Sequence, residues 1–573
     1  MVTLTIDGRI ITVEEGTTIL TAARQLGLRI PTLCYLKDVN EIGACRMCVV
    51  EVEGNDLLVA ACNAPCEEGM VVRTNTPRVR AARRLNIELI LSRHNANCTG
   101  CTRSGNCALQ TLAREMNVLD LPFPQQPVFR PWDHEHVLIR ETSKCINCMR
   151  CVSFCDKIQN MHVWDVTGTG AHTGVGVRDR LELEDAGCAY CGQCITHCPV
   201  GALRARDDTD EVFAALNDPE KICVVQVAPA VRAAWGEGFG LSLEEATVGR
   251  MVAVLKAIGF DYVFDTDFAA DLTIMEEGSE FVERMTHPEK YKLPMFTSCC
   301  PGWVRYAKIR HPELLENLST AKSPQQMFGA VAKTYFAKKL GVAPEKIFCV
   351  SIMPCTAKKY ECAVDEVNDS GAGRDVDESI TTREFVRMAR FCQIEPLSLE
   401  ECEFDDPLGE GTGAGVIFGT TGGVMEAALR SAYFLITGEN ADADAFSGVR
   451  GPEGWKERTF RAGDITVRTA VVNGLGNISK LIDALQTGKV HYDFIECMAC
   501  PSGCGGGGGQ PVHDGREMGG ERGKYLYQLD KDAPLRFSHE NGSVQKLYEE
   551  YLEHPLSHEA HRLLHTDLKD WKL

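Results

Sequence analysis

The segment that decides the architecture of this chain is Glu496-Cys-Met-Ala-Cys-Pro-Ser-Gly-Cys-Gly-Gly-Gly-Gly-Gly-Gln-Pro511, in which Cys500 and Cys504 are followed by unbroken glycine. Because glycine has no Cβ atom, this backbone can close over a bulky group that is not protein. Two more cysteine motifs lie upstream, Thr297-Ser-Cys-Cys-Pro-Gly-Trp303 and Met353-Pro-Cys-Thr-Ala-Lys-Lys-Tyr-Glu361. Structural zinc sites favour closely spaced cysteine pairs, whereas these thiolates come from three separated loops. They predict one centre for a cofactor held between lobes.

The C-terminal half alternates between strand-like and helix-like segments, which predicts parallel sheets covered by helices. We predict strands near 222–228, 262–264, 293–296, 347–352, 466–472 and 494–495, and helices at 248–258 and 269–285. The motif cysteines follow predicted strand ends, where ligands commonly bind, and nearby helix N-termini favour an anionic group. The glycine-rich segments 411–415 and 419–423 lack G-x-G-x-x-G after a clear strand, so we interpret them as tight turns rather than a nucleotide site.

Composition predicts a globular protein of several domains, with 573 residues, 44% hydrophobic and 24% charged. The formal net charge of −20 argues against nucleic acid as a partner. The 27 cysteines cluster at metal-ligand spacings, which predicts thiolates kept reduced in a cytosol rather than disulfides. No leader pattern precedes the strand-like start, and no segment has the roughly 18 unbroken apolar residues of a membrane span. We therefore expect a cytoplasmic protein without a membrane span.

Two C-x2-C-x2-C-x3-C runs, at 145–155 and 188–198, are the strongest local signal in the chain. This is the ligand pattern of bacterial ferredoxins with two [4Fe-4S] cubes, in which each run gives its fourth cysteine to the other cube. The predicted ligand sets are Cys145, Cys148, Cys151 with Cys198, and Cys188, Cys191, Cys194 with Cys155. The first run ends in Cys155-Asp156 instead of Cys-Pro, a minor departure.

The N-terminal region carries two further cysteine patterns. A predicted hairpin around Asp7-Gly8 and a predicted helix at 17–26 precede cysteines in a loop, as in [2Fe-2S] ferredoxins. The candidate ligands there are Cys34, Cys45, Cys48 and Cys62, and Cys66 is left over as a plain thiol. Ten residues separate the first two ligands instead of the four of plant ferredoxins, so the domain resembles the variant found in hydrogenases and a complex I subunit. After a helical segment at 77–92, the H-x3-C-x2-C-x5-C order resembles the histidine-ligated [4Fe-4S] site of the same families, with ligands His94, Cys98, Cys101 and Cys107.

The three motifs of the C-terminal half, in this order, closely resemble the catalytic signatures of the [FeFe]-hydrogenases. The resemblance implies an H-cluster, a [4Fe-4S] cube joined to a two-iron unit that carries carbon monoxide, cyanide and a bridging azadithiolate. Its implied ligands are Cys300, Cys355, Cys500 and Cys504, the last bridging to the two-iron unit. With one [2Fe-2S] and three accessory [4Fe-4S] clusters, these sites use 19 of the 27 cysteines.

The resemblance also implies roles for residues around this centre. Cys299 would be the last proton relay, and the path would continue through a water and then Glu277, Ser319 and Glu280. Glu277 and Glu280 are neighbours on one helix face at i and i+3; without the resemblance, a solvated acidic face is the simpler interpretation. Lys358 would donate to a cyanide ligand. The implied cofactor shell is Pro229, Ala230, Pro324, Gln325, Met353, Phe418 and Met498.

The predicted fold class is α+β multidomain. Its parts are a β-grasp [2Fe-2S] ferredoxin-like domain at 1–78, a histidine-ligated [4Fe-4S] domain at 79–125, a bacterial 2×[4Fe-4S] ferredoxin-like domain at 126–208 and a two-lobed α/β H-cluster domain at 209–573. The implied function is reversible oxidation of hydrogen, with ferredoxin or a flavin-containing NAD(P)-linked subunit as electron partner and maturation proteins installing the two-iron unit. The alternative is an iron-sulfur electron-transfer or cluster-assembly protein without hydrogen chemistry, which the first 208 residues alone permit.

Overall fold

The N-terminal domain is a mixed five-stranded sheet packed by one helix, as predicted. The computed structural model describes residues 1–463 and 465–572. The sheet order is Arg9–Val13, Val2–Ile6, Val71–Arg73, Val49–Val52 and Val59–Ala60, with Val2–Ile6 parallel to Val71–Arg73. The helix Ile19–Gln25 begins at Thr18, whose side chain accepts a hydrogen bond from the Thr21 amide. Its apolar face fills the core of this β-grasp domain.

Two small domains connect this sheet to the C-terminal half. Helix Pro77–Arg93 leads into the loop of the predicted histidine site, which is closed by helix Ala108–Glu115. The ferredoxin-like domain pairs strand Leu138–Arg140 antiparallel with Leu203–Ala205 and carries helices Arg150–Lys157 and Gln193–Thr196. A hairpin of Trp164–Thr167 and Gly174–Val177 lies between the two cysteine runs.

The C-terminal half contains two sheets covered by helices, which confirms the predicted α/β architecture. One sheet is entirely parallel, in the order Tyr262–Asp265, Ile222–Val227, Ile347–Met353 and Glu378–Thr381. The other has the order Met295–Phe296, Phe494–Met498, Ile465–Asn473 and Trp455–Ala462, with only its last pair antiparallel. The helices are Thr209–Leu216, Val248–Ile258, Thr266–Thr286, Pro301–Arg310, Pro324–Val331, Ala337–Leu340, Ala357–Glu361, Thr382–Phe391, Gly413–Ile417, Gly423–Thr437, Leu475–Gln486, Gly519–Asp532, Gly542–Leu547 and His558–Leu564.

The glycine-rich segments near 411–423 differ from the prediction in part. Residues Gly413–Ile417 form a short helix instead of a turn. A Cβ atom at Gly415 would lie 2.7 Å from the Asp267 carbonyl oxygen, so glycine allows this helix to pack directly on Thr266–Thr286. Gly422, with φ of +90°, does make the predicted turn before helix Gly423–Thr437. In the described part of the chain, every helix is too short or too polar to cross a lipid bilayer.

Candidate catalytic metal centre

The cysteines of the three C-terminal motifs lie at the ends of strands from both sheets. Cys355 follows strand Ile347–Met353 and precedes helix Ala357–Glu361. Cys300 is the residue before helix Pro301–Arg310, which begins with proline. Cys500 follows strand Phe494–Met498, and Cys504 lies in the short turn Gly503–Gly506. The carboxyl ends of strands therefore converge on one place, as expected for a ligand site in an α/β fold.

The four thiols share one enclosed space. Burial first, and then the closeness of Cys300 and Cys355, raises the pKa of the Cys504 thiol. For Cys500, burial is again the largest cause of a raised pKa, followed by Cys355, Cys191 and Cys300. Bringing buried thiolates this close to one another is unfavourable unless a cation binds them. The donor set, four cysteines without a carboxylate, suits an iron-sulfur cube.

The glycine stretch packs against the loops of other cysteines. A Cβ atom at Gly507 would lie 2.1 Å from the Pro354 carbonyl oxygen, and one at Gly508 would lie 2.5 Å from the Cys191 carbonyl oxygen. At Gly509 it would lie 2.8 Å from the Cys355 amide nitrogen. Glycine is therefore needed here for backbone packing, in addition to the closure over a cofactor that the sequence predicted.

Cys299 and Glu277 form a second buried pair next to this space. Burial first, and then Glu277, raises the pKa of the Cys299 thiol. Burial and the neighbouring Glu280 raise the pKa of Glu277 from 4.5 to about 8. Among the described residues, neither carboxylate oxygen of Glu277 has a hydrogen-bond partner. A buried carboxyl without partners is rare outside functional sites.

The carboxylate of Glu280 has a different environment. It accepts hydrogen bonds from Ser319 Oγ at 2.8 Å and from the Thr320 amide, and it pairs with Arg284 at 2.6 Å. Arg284 was not predicted from the sequence, although its i+4 spacing from Glu280 gave a signal. Glu277, Glu280 and Arg284 lie on one helix, Thr266–Thr286, and none is exposed. The suspected solvated acidic face is in fact interior.

We expect replacement of Glu277 to change stability in a pH-dependent way. Because its folded pKa of about 8 is above the ordinary 4.5, the folded state holds a proton between these values that the unfolded state has lost. Stability therefore falls as pH rises from about 4.5 to 8. Glutamine does not titrate, so Glu277→Gln does not lose stability in this way. The denaturation midpoint of the variant minus that of the wild type should therefore increase as pH rises from about 4.5 to 8. The exposed Glu244→Gln is the control, and a pH-independent difference for Glu277→Gln would contradict the shift.

Lys358 and Gln325 already have protein partners. Lys358 Nζ donates to Glu361 Oε2 at 2.8 Å and to the Cys299 carbonyl oxygen at 3.2 Å. Although burial alone would lower it, Glu361 keeps the pKa of Lys358 above its usual value. The Gln325 amide donates to Glu361 Oε2 and accepts from Ser351 Oγ. No role for Glu361 was predicted from the sequence. The predicted contact of Gln325 with a diatomic ligand remains a prediction.

The other predicted shell residues are all buried, and three of them pack with the cysteines of the centre. Phe418 and Met498 share an apolar cluster with Cys299, against which Cys300 and Cys504 pack. Ala230 packs with Cys504 in a smaller cluster. The remaining buried members are Pro229, Pro324 and Met353. Such a lining excludes water from the space between the thiols.

The four cysteines of the N-terminal domain are brought together in adjacent pairs. Cys34 lies next to Cys45 and lowers the pKa of the Cys45 thiol. Cys62 likewise lowers the pKa of the Cys48 thiol. Cys66 lies instead in the apolar core of this domain, where burial raises its pKa. The structure thus separates four candidate ligands from the plain thiol.

His94 is oriented for metal binding. Its Nδ1 atom lies 2.9 Å from the Lys144 carbonyl oxygen, and burial lowers its pKa. A carbonyl acceptor at Nδ1 fixes the tautomer that leaves Nε2 free as a ligand. The loop that follows contains Cys98, Cys101 and Cys107, and electrostatic contact joins the last two. This arrangement fits the predicted site with one histidine and three cysteines.

The two ferredoxin runs lie close enough together for the predicted exchange of their last cysteines. The thiols that act on Cys151 are, largest first, Cys148, Cys145, Cys198 and Cys194, and those that act on Cys194 are Cys191, Cys188 and Cys155. Burial is the largest cause of the raised pKa of both central thiols. The second set lies next to the catalytic cysteines, because Cys500 Sγ is 3.8 Å from the Cys191 carbonyl oxygen.

A relay of cysteine sites leading to a buried thiolate centre defines an iron-sulfur oxidoreductase. The chain matches "Iron only hydrogenase large subunit, C-terminal domain" over residues 221–508 and "Iron hydrogenase small subunit" over 517–571. It also matches a 2Fe-2S cluster binding domain at 1–77, an iron-sulfur binding region of NADH-ubiquinone oxidoreductase at 83–121 and a ferredoxin-like domain of NADH-quinone oxidoreductase at 136–204. The chain belongs to the iron-only, or [FeFe], hydrogenase family, and it binds iron-sulfur clusters.

Similar proteins agree with this family. The NADP-reducing hydrogenase subunit HndD of Solidesulfovibrio fructosivorans is 47% identical over 99% of this chain and 98% of its own length. Iron hydrogenase 1 of Clostridium pasteurianum is 39% identical over 99% and 100%. A cytosolic iron-sulfur assembly component 3 of Rattus norvegicus is 32% identical over 68% and 83%. The solved [FeFe]-hydrogenase HydA1 of Chlamydomonas reinhardtii, an E141Q variant, is 44% identical with a TM-score of 0.57 and covers 63% of this chain and 98% of that one.

Proposed function

We propose that this chain catalyses the reversible oxidation of hydrogen to protons and electrons, and relays the electrons through its accessory clusters. The observation that carries the proposal is the convergence of four cysteines, one buried and three half-buried, beside the buried pair of Cys299 and Glu277. Cys300, Cys355, Cys500 and Cys504 would hold an H-cluster whose azadithiolate-bridged two-iron unit supplies, when bound, the site of hydrogen cleavage and formation. This centre would be installed by maturation proteins.

The protein's part in the reaction is to move protons and exclude water. Cys299 remains protonated at neutral pH because burial and Glu277 raise its pKa, so its thiol can donate a proton and take one back. Glu277, with a pKa of about 8, is poised to exchange that proton near neutral pH. Ser319 and Glu280 would continue the path, with Arg284 positioning Glu280. Lys358 would place its positive charge at an anionic ligand of the centre.

Electrons would pass between the catalytic centre and the set Cys188, Cys191, Cys194 and Cys155, the nearest accessory site. They would continue through the set with Cys198 to the histidine site or the [2Fe-2S] site. We propose one [2Fe-2S] and three accessory [4Fe-4S] clusters. The similarity to an NADP-reducing hydrogenase subunit supports an NAD(P)-linked electron partner. We propose a flavin-containing subunit for this role, with ferredoxin as the other candidate.

The test of the proposal is an infrared spectrum of anaerobically matured protein in the window where metal-bound carbon monoxide and cyanide absorb. We expect bands from both ligands that shift under hydrogen. Protein produced without the maturation proteins is the control. Bands that stay absent after confirmed maturation would reject hydrogen chemistry and favour the second candidate, an iron-sulfur carrier or assembly protein, which the 32% identity to an assembly component makes worth testing.

The histidine ligand gives a separate prediction for the relay. Replacing a thiolate with a neutral imidazole removes one negative charge from a cluster and raises its reduction potential. His94→Cys should therefore lower the potential of this cluster and leave the [2Fe-2S] site unchanged, as measured by redox titration with electron paramagnetic resonance. An unchanged potential in a fully loaded variant would remove His94 from the ligand set.

A further inference from the structure

Arg103, in the loop between Cys101 and Cys107, is a buried cation for which the described part of the chain offers no counter-ion. It is only 7% exposed. Its Nε atom donates to the Asn106 carbonyl oxygen at 2.7 Å. Both terminal nitrogens are closed off from water and have no hydrogen-bond partner among the described residues, and no carboxylate of those residues pairs with them. Leaving a guanidinium in this state is costly unless a negative charge lies beside it.

The groups next to Arg103 belong to two different cluster sites. Its charge lowers the pKa of Cys107, against the larger effect of burial, and it acts in the same direction on Cys198. The backbone around it is shared as well, because the Ala108 amide donates to the Pro199 carbonyl oxygen at 3.1 Å. A Cβ atom at Gly201 would lie 2.5 Å from Cys101 Sγ and 3.7 Å from Arg103 Cγ. The loops of the histidine site and the Cys198 site therefore meet at Arg103.

We infer that Arg103 is a positioning residue for electron transfer, its guanidinium lying between the histidine-ligated cluster and the Cys145, Cys148, Cys151, Cys198 cluster and compensating the negative charge of both. This inference rests on the proposed clusters. Sulfur atoms of anionic clusters are acceptors that the orphaned N–H groups otherwise lack, and arginine presents its donors as a planar fork. Because each cluster gains one negative charge on reduction, the cation favours the reduced form of both.

The consequence is a rise of both potentials at this step of the relay. Hydrogen bonds to cluster sulfurs and nearby charge are established determinants of reduction potential. One cation shared by two clusters raises both potentials together, so it makes both easier to reduce while it changes the driving force between them little. A unit charge this close, at an effective dielectric constant of ~20, changes a reduction equilibrium by roughly tenfold or more.

The test is a redox titration of the anaerobic, fully loaded protein with electron paramagnetic resonance detection of each cluster. We expect Arg103→Gln to lower the potentials of both clusters, each by about tenfold in the reduction equilibrium, or ~59 mV for one electron. Arg114→Gln is the matched control, since Arg114 is exposed on the helix after the same loop and is no cause of the shifts at these thiols. Unchanged potentials in Arg103→Gln, a shift of only one cluster, or an equal shift in the control would overturn the inference.

A second variant covers the case in which Arg103→Gln does not retain its clusters. Arg103→Lys keeps the charge but not the planar fork, and we expect a smaller drop of both potentials. Unchanged potentials in that variant would also overturn the role of the fork. Absence of the two clusters from wild-type protein would instead reject the proposed function, so the two failures are distinguishable by counting the spin signals of the wild type.

Discussion

Cys299→Ser should keep the catalytic centre and lose turnover by about 10²- to 10⁴-fold, the usual contribution of a positioned acid–base group. The thiol is buried next to Glu277, and its raised pKa keeps it protonated while it can still give up that proton to a suitable base. A serine hydroxyl fills the same place but is a far weaker acid, so it cannot supply the proton at a useful rate. Neither residue is required to hold the four ligand thiols, so the infrared bands should remain.

The measurement is hydrogen uptake and evolution per installed two-iron unit, counted from infrared intensity. Cys392→Ser is the matched control, because Cys392 is a half-buried cysteine at the end of helix Thr382–Phe391 whose pKa is raised by burial alone, without a contribution from another thiol. It should have wild-type turnover. Full turnover in Cys299→Ser with intact bands would remove Cys299 from the proton path.

The accessory-cluster ligands could be predicted from the sequence because the ligands of one site lie close together along the chain. Each accessory [4Fe-4S] pattern lies in one short segment of the chain: the two C-x2-C-x2-C-x3-C runs span 145–155 and 188–198, and the H-x3-C-x2-C-x5-C loop spans 94–107. The six strands predicted in the C-terminal half agree with the structure to within a few residues, since buried parallel strands give continuous apolar runs, whereas only two of its helices were predicted. The edge strands Glu378–Thr381 and Trp455–Ala462 were missed because most of their residues are polar.

Contacts between distant segments were not predictable. Glu361 ends the quoted motif Met353–Glu361, but its contact with Gln325, 36 positions away along the chain, gave no sequence signal. The sequence predicted no role for Arg103, because its loop and the loop of Cys198 become neighbours only in the folded chain. The interior position of Glu276, Glu277 and Glu280 also contradicts their polar composition. Such placements depend on tertiary packing, which can override local preference when partners or function compensate for burial.

Gly508→Ala should disrupt the junction between the catalytic centre and its nearest accessory site. The new Cβ atom would lie 2.5 Å from the Cys191 carbonyl oxygen and 2.6 Å from the Gly192 Cα atom, which is too close for either backbone to remain in place. Arg383 donates to the Gly508 carbonyl oxygen at 2.7 Å, so the glycine stretch is also held from another side. Overpacking of this kind typically costs about 1–3 kcal/mol.

Two activities separate the possible consequences of Gly508→Ala. Exchange of hydrogen with deuterated solvent needs only the catalytic centre, whereas dye reduction through the relay also needs the Cys191 site near Cys500. We expect dye reduction to fall by tenfold or more and exchange to fall less, because the displaced Cys191 loop lengthens the electron step while the four thiols stay grouped. Gly520→Ala is the matched control, since its Cβ would meet only the Pro452 Cβ at 3.8 Å and alanine favours its helix. Equal loss of both activities would place the damage in the catalytic centre itself, and wild-type activity in Gly508→Ala would show that the close approach to Cys191 does not govern electron flow.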